Sequence, residues 1–214
     1  MNWLQIVLGT ALAAAGAAAG NPYLRRRVRS TAAWTRRWLQ VPIAVVLGGL
    51  AGLAGSVWEF VGFLVLAIGC SLLVVVDLAD WELPDVITLS LYPVLGLALT
   101  AAAWAQNDFG RLGRAGLGAV LMFGLYFLLA RVAPDLGFGD VKLAGVLGGF
   151  LGWLGLSQWT LGFLAAWVSM AVISVLLLAT KRITRQDSLP FGPWMILGAA
   201  LGALLGPVLL PALA

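Results

Sequence analysis

The stretch VPIAVVLGGLAGLAGSVWEFVGFLVLAIGCSLLVVVD, residues 41–77, is 37 residues of mostly apolar sequence broken near its middle by Ser56, Trp58 and Glu59. One helical bilayer crossing takes about 20 residues, so this run is too long for one span and close to the length of two. The number of crossings here sets which loops share a side of the membrane. Charge decides between the two. With two crossings, the loops around 25–37, 77–85, 131–142 and 181–187 lie together. They carry Arg25, Arg26, Arg27, Arg29, Arg36, Arg37, Arg131, Lys142, Lys181, Arg182 and Arg185, leaving only Arg111 and Arg114 opposite. With one crossing the split falls to eight against five. Cytosolic loops concentrate Lys and Arg, so two crossings are expected, with the basic loops in the cytosol.

Working outward from this run, the whole chain calls for lipid as its solvent. Its 214 residues are 62% hydrophobic and 10% charged, and the mean hydropathy is +1.00, values beyond those of soluble globular domains. Apolar stretches at 3–20, 41–56, 57–77, 86–106, 115–132, 141–156, 159–180 and 191–212 predict an all-α polytopic bundle of about eight transmembrane helices. Both termini are expected outside, in one domain covering 1–214. The first stretch ends in alanines like a signal peptide. Residues 1–5 carry no basic side chain, however, and the arginines follow the apolar run, which is the pattern of a retained span. Tryptophans such as Trp34, Trp38, Trp58, Trp153 and Trp159 fall near span ends, as an interfacial belt would place them.

Composition also removes much of enzymology. The sequence has no histidine and one cysteine, Cys70, within an apolar run. Ser-His-Asp and Cys-His catalysis therefore lack their base, and zinc sites lack ligands. Neither a metal nor a cofactor is expected. Cys70 reads as a packed thiol with no internal disulfide partner. Thirteen basic against nine acidic residues describe membrane orientation, and no aromatic-interleaved basic patch suggests a nucleic-acid partner. The Arg-rich segment within residues 21–40 is expected to anchor topology beside anionic lipid headgroups.

Six of the nine acids fall in two short stretches, Asp77, Asp80, Glu82 and Asp85 in the first and Asp135 and Asp140 in the second. By the topology above, both stretches face the cytosol. Asp77 closes an apolar run and Asp140 opens one, so each stands at a helix end by the membrane boundary. Two aspartates held together can share one proton and act as base toward water and acid toward a carbonyl. From the residues alone, solvated loop acids and a proton- or ion-coupled transporter stay open as alternatives. Against the transporter, the acids gather at one face instead of the midplane, and no half of the chain is duplicated. Gly137 and Gly139 would allow a tight turn before Asp140, and Gly145, Gly148, Gly149 and Gly152 contain overlapping small-xxx-small pairs suited to close helix packing.

Three separated motifs now carry a resemblance. They are DLADWELPD at 77–85, GFGDVKL at 137–143 running on to GGFLGW at 148–153, and LPFGP at 189–193. Together they resemble the type IV prepilin peptidases, members of the GxGD membrane aspartyl proteases, over roughly residues 58–212, with 1–57 contributing N-terminal spans and the basic loop. The resemblance implies that Asp77, rather than Asp80, and Asp140 are catalytic. Gly137, Gly139, Asp80, Asp85, Lys142, Pro190, Gly192 and Pro193 would support them. It implies an inner-membrane endopeptidase with its site facing the cytosol, acting on prepilin or pseudopilin-like precursors, with membrane lipid and pilus or secretion assembly components as its surroundings. The presenilin-like branch is a second enzyme reading, but the chain has Pro190, Phe191, Gly192 and Pro193 where that branch would carry Pro-Ala-Leu. Larger members have a cytosolic domain with paired CxxC motifs and also methylate the new N-terminus. Residues 21–40 contain no cysteine, so methyl transfer is not implied here.

The charge split generates a topological prediction. In intact cells, Ser30→Cys, Glu82→Cys and Thr184→Cys should be shielded from an impermeant thiol reagent, whereas Asp108→Cys should react. External labelling at residue 82 would put both motifs on the wrong side.

Overall fold

A computed structural model describes residues 2–29, 38–133, 136–184 and 187–214. Trp34, Arg36, Arg37, Asp135 and Arg185 lie outside the described residues. Among the described residues the regular structure is helical throughout, comprising α1 (Trp3–Ala19), α2 (Asn21–Arg27), α3 (Gln40–Gly48), α4 (Val57–Asp80), α5 (Asp85–Gln106), α6 (Phe109–Val132), α7 (Phe138–Leu154), α8 (Leu156–Ala179) and α9 (Gly192–Leu209). Short 3₁₀ turns follow α3, at Gly49–Leu53, and α9, at Pro211–Leu213. The long apolar run divides at Ser56, which caps α4 by accepting the Glu59 N–H on its hydroxyl at 3.2 Å.

The protein is an all-α polytopic membrane protein. Five helices, α4, α5, α6, α8 and α9, are long and apolar enough to cross a membrane, and α1 with α2, bent by 43°, makes a sixth if taken as one span. The expected count of about eight is not reached by this measure. The stretch 41–56 folds as α3 and its 3₁₀ turn, and α7 has 17 residues, about 25 Å at 1.5 Å per residue against a core of about 30 Å.

The chain forms two compact units, Met1–Arg114 and Ala115–Ala214, with the division inside α6. In the first unit, α1 packs on α3, its 3₁₀ turn and α4, while α4 pairs with α5. Glu59, in the first turn of α4, is fully buried. Its carboxylate accepts from Arg111 Nη1 at 3.2 Å and Nη2 at 3.4 Å, from Gln106 Nε2 at 2.6 Å and from the Gly55 N–H at 3.1 Å. A buried charge is tolerated only when it is paired and its remaining lone pairs are filled, and Glu59 meets both conditions. Arg111, counted above as one of two basic residues on the sparse side, thus has a partner inside the protein.

At the opposite end of α4, Leu24 of α2 is buried against Val75 and Val76, with Tyr23, Val28, Leu39, Ile43 and Leu72 packed around them. Arg27 Nη2 meets Glu82 Oε2 at 2.8 Å, Arg29 Nη1 lies 4.0 Å from Glu82 Oε1, and the Arg29 N–H donates to Asp80 Oδ2 at 2.8 Å. The first half of the Arg-rich segment is therefore a short helix docked on the protein, and two of its arginines face acids of the same chain. Exposed ion pairs are worth ~1 kcal/mol or less, so the apolar contact of Leu24 outweighs them in holding α2.

In the second unit, α7 is buried along almost its whole length, and α8 pairs closely with α9. Two glycines set the approach of α6 to α7. A Cβ on Gly118 would lie 2.5 Å from the Gly148 carbonyl oxygen, and one on Gly148 would strike the Gly118 carbonyl in turn. Small residues let backbones meet where lipid supplies no hydrophobic drive for helix association. The same device recurs between α9 and α8, where a Cβ on Gly202 would lie 2.5 Å from the Gln158 carbonyl oxygen. One tryptophan departs from the expected interfacial belt: Trp153 is fully buried, whereas Trp159 is half-buried and its Nε1–H donates to the Gly118 carbonyl at 3.1 Å. Trp38 and Trp58 are exposed, as a belt requires.

Removing one member of a buried ion pair costs about 3–5 kcal/mol, because the other charge is left behind. Arg111→Met should therefore lower thermal stability in detergent by this amount, whereas Arg114→Met, on an exposed neighbour, should change it by less than about 0.5 kcal/mol. Equal effects would show that Glu59 does not depend on Arg111.

Candidate active site

The first acidic motif spans the end of α4 and the start of α5. Asp77 stands in the last turn of α4, only 5% exposed, directly after Val75 and Val76 on which Leu24 packs. The helix ends at Trp81, whose N–H donates to the Asp77 carbonyl at 2.9 Å and whose φ of 60° is left-handed. Glycine is the usual residue at such a position, and a side chain there costs roughly 1–2 kcal/mol. The backbone is thus turned sharply three residues before Pro84, which is buried and forms the N-cap of α5. Thr88, fully buried, donates from Oγ1 to the Pro84 carbonyl at 3.1 Å and fixes that corner. Asp85 follows as an exposed residue in the first turn of α5, where a helix favours negative charge.

The acids of this motif therefore occupy different environments. Asp80 is partly buried and accepts the Arg29 N–H; Glu82 is exposed and paired with Arg27; Asp85 is exposed. Asp77 alone among them is buried.

The second motif opens α7. Asp140 is the third residue of that helix and 7% exposed. Its Oδ2 accepts the Gly137 N–H at 3.1 Å, and its own N–H donates to the Gly137 carbonyl at 3.1 Å, so the carboxylate closes a reciprocal cap on the helix start. The expected tight glycine turn is not found. Gly137 has φ −70° and ψ 152°, ordinary extended backbone, and Gly139 is helical. What Gly137 contributes is space, since a Cβ there would sit 3.5 Å from Asp140 Oδ2 and cover one side of the carboxylate. Lys142 is half-buried, its ammonium 5.1 Å from the centroid of the Phe138 ring. Gly148 fulfils its expected packing role against α6.

The third motif opens α9. Phe191 is the N-cap, Gly192 is the buried first residue, and Pro193 lies within the first turn, where a missing N–H carries no cost. Pro190 is half-buried just before it. Phe191 packs against two other rings. Its ring centroid lies 4.8 Å from that of Trp167 and 5.9 Å from that of Tyr126. Tyr126, 1% exposed, also lies 5.9 Å from both Phe163 and Trp167. In this unit the third motif thus joins an aromatic cluster with α6 and α8. Two aromatics four residues apart on α8, Phe163 and Trp167, were the available signal for it.

Among the described residues no group of three or more His, Cys, Asp or Glu side chains could hold a metal ion. Asp187, on the exposed loop between α8 and α9, accepts the Thr184 N–H at 2.7 Å and its hydroxyl at 3.0 Å; these bonds hold its carboxyl below the usual range, so it is charged at neutral pH.

The chain has recognisable relatives among known proteins. A protein from Pectobacterium carotovorum subsp. carotovorum named prepilin leader peptidase/N-methyltransferase is 31% identical over 173 residues, covering 78% of this chain and 61% of that relative. Proteins of the same name from Dickeya chrysanthemi and Pseudomonas aeruginosa are 34% and 28% identical, covering 77% and 78% of this chain and 59% and 57% of their own lengths. The chain therefore spans between 57% and 61% of these relatives. No solved structure matches. Residues 64–206, which contain all three motifs, match the Type IV leader peptidase family, and the chain belongs to that family.

Proposed function

We propose that this protein is an aspartyl endopeptidase that removes the leader peptide from type IV prepilin-like precursors at the cytosolic face of the inner membrane. The observation that carries this reading is the burial of one aspartate in each acidic motif, Asp77 and Asp140, while the other described acids of the first motif are exposed or held by arginines. Family membership and the names of the relatives support the peptidase activity and the class of substrate.

In the proposed reaction the two carboxyl groups share one proton. The proton belongs to the pair; Asp140, in the first turn of α7, serves as the base and Asp77, in the last turn of α4, as the acid. Asp140 takes a proton from water as the water oxygen attacks the scissile carbonyl. Asp77 donates its proton to the carbonyl oxygen, giving a tetrahedral diol. Asp140 then passes its proton to the departing nitrogen while Asp77 recovers one from the diol as the C–N bond breaks. Atoms and charge balance without a further reactant.

The names of the relatives include N-methyltransferase. The reaction proposed for this chain is the hydrolytic step.

Replacing either Asp77 or Asp140 with Asn should reduce precursor cleavage by at least about 10³-fold without reducing membrane insertion, and the double substitution should be no worse than either single one. Asp80→Asn should stay active because an amide oxygen still accepts the Arg29 N–H; Asp85→Asn and Lys142→Gln should stay active as well. The pH profile should show two apparent pKa values belonging to the pair. Cleavage of a co-expressed prepilin, followed by mass measurement of the product, makes the test. Normal cleavage by Asp77→Asn would exclude the mechanism, and an inactive Asp80→Asn beside it would move the first catalytic position.

A further inference from the structure

In the run Gly137, Phe138, Gly139 that leads into Asp140, Phe138 is the one residue with a side chain. Glycine restrains its own backbone least, so the steadiness of the helix start that carries the Asp140 carboxylate depends on what Phe138 touches. Its ring is 55% exposed, yet it belongs to a row of rings in the second unit. The Phe138 centroid lies 6.5 Å from that of Phe127, edge to face, and Phe127 stacks on Phe123 at 6.4 Å. Each of the two facing rings carries a cation. The Lys142 ammonium lies 5.1 Å from the Phe138 centroid, and the Arg131 guanidinium carbon lies 5.0 Å from that of Phe127.

Both cations follow their ring by four residues, the spacing that puts two side chains on one helix face. Asp140, two residues from Phe138 and from Lys142, lies about 200° around α7 from each, and it is buried where Phe138 is exposed. The outer face of the first turn of α7 is thus tied to the last turns of α6 across residues 133–137, while its inner face presents the carboxylate. A cation is held over a ring only where the ring presents its face, so these contacts fix orientation as well as distance.

We propose that Phe138 and Lys142 are positioning residues for the reaction: the contact of Phe138 with Phe127, flanked by Lys142 and Arg131, fixes the first turn of α7 on α6 and so holds the Asp140 carboxylate in place. The inference rests on the proteolytic reading above and gives Lys142 a role exerted through Phe138.

The test uses the full-length protein in phospholipid vesicles with a purified prepilin, with kcat and KM measured separately and the folded fraction followed in parallel. Phe138→Leu keeps apolar bulk without a ring face, and Lys142→Gln, which stays active, removes the charge. Each should lower kcat about threefold to tenfold and leave KM and the folded fraction within about twofold. The double substitution should be no slower than the slower single one, because the two side chains form one contact. Phe138→Trp and Lys142→Arg, which keep the ring and the charge, should retain kcat within about twofold, and Phe127→Leu should reproduce the loss from the α6 side. Losses that multiply in the double variant would show that Lys142 acts apart from the ring and would overturn the proposal. So would an unchanged kcat in Phe138→Leu, a loss shared by Phe138→Trp and Lys142→Arg, a fall in kcat matched by the folded fraction, or a rise in KM alone, the result expected if the exposed ring touches substrate instead. If the wild-type protein cleaves no precursor, or Asp140→Asn cleaves normally, the proteolytic reading fails instead.

Discussion

A carboxylate in a membrane protein has to be met by something other than water, and this constraint organises the molecule. Three acids are buried among the described residues, Glu59, Asp77 and Asp140. Glu59 is matched by Arg111, Gln106 and a backbone N–H, a set that leaves its charge fully compensated and suits it to a structural role. Asp140 accepts the Gly137 N–H at the start of α7. The same carboxyl chemistry thus serves as a fastening at one end of α4 and as the basis of the proposed site at the other end and in α7.

The packing around these acids is built to hold helix ends still. Exposed ion pairs such as Arg27 with Glu82 contribute little energy by themselves, but they restrict the loop that follows Asp77. The burial of Leu24 on Val75 and Val76 fixes the last turns of α4 more firmly. In the second unit, Gly118 and Gly148 bring α6 and α7 to backbone contact, and the aromatic cluster of Tyr126, Phe163, Trp167 and Phe191 ties α6, α8 and the start of α9 together. Helices held at this distance cannot adjust without clashes, which suits a site whose reacting groups sit at helix ends.

Much of this was legible in the residues. Ser56 and Glu59 interrupt the long apolar run and mark a real helix start, because a hydroxyl followed three residues later by an acid satisfies the free N–H groups of a new helix. The motif spacing singled out Asp77 and Asp140, and these are the buried members of the two stretches among the described residues. Other features were hidden by composition. Arginines in the Arg-rich segment masked the pair Tyr23 and Leu24, so its docking on α4 was not legible. The contact of Arg27 with Glu82 joins residues 55 apart, and that of Arg111 with Glu59 joins residues 52 apart; no local period encodes either. Gly137 suggested a special backbone where only an absent side chain matters. The glycines of α9 went unread because an apolar helix rich in small residues looks alike on every face until its neighbour is known.

The account depends on the two aspartates meeting. The direct measurement is disulfide trapping of Asp77→Cys with Asp140→Cys in a Cys70→Ala background, with each single cysteine variant as control. Carboxyl groups sharing a proton over one water keep their Cα atoms within roughly 10 Å, so oxidation is paired with a short bifunctional thiol reagent that spans what a disulfide, limited to about 7 Å between Cα atoms, does not. Rapid intramolecular crosslinking under mild oxidation or with that reagent, seen as a linked pair of peptides by mass spectrometry, is the expected result. Two cysteines that each react with a small thiol reagent yet never crosslink would show that the aspartates act apart, and would contradict the shared-proton mechanism.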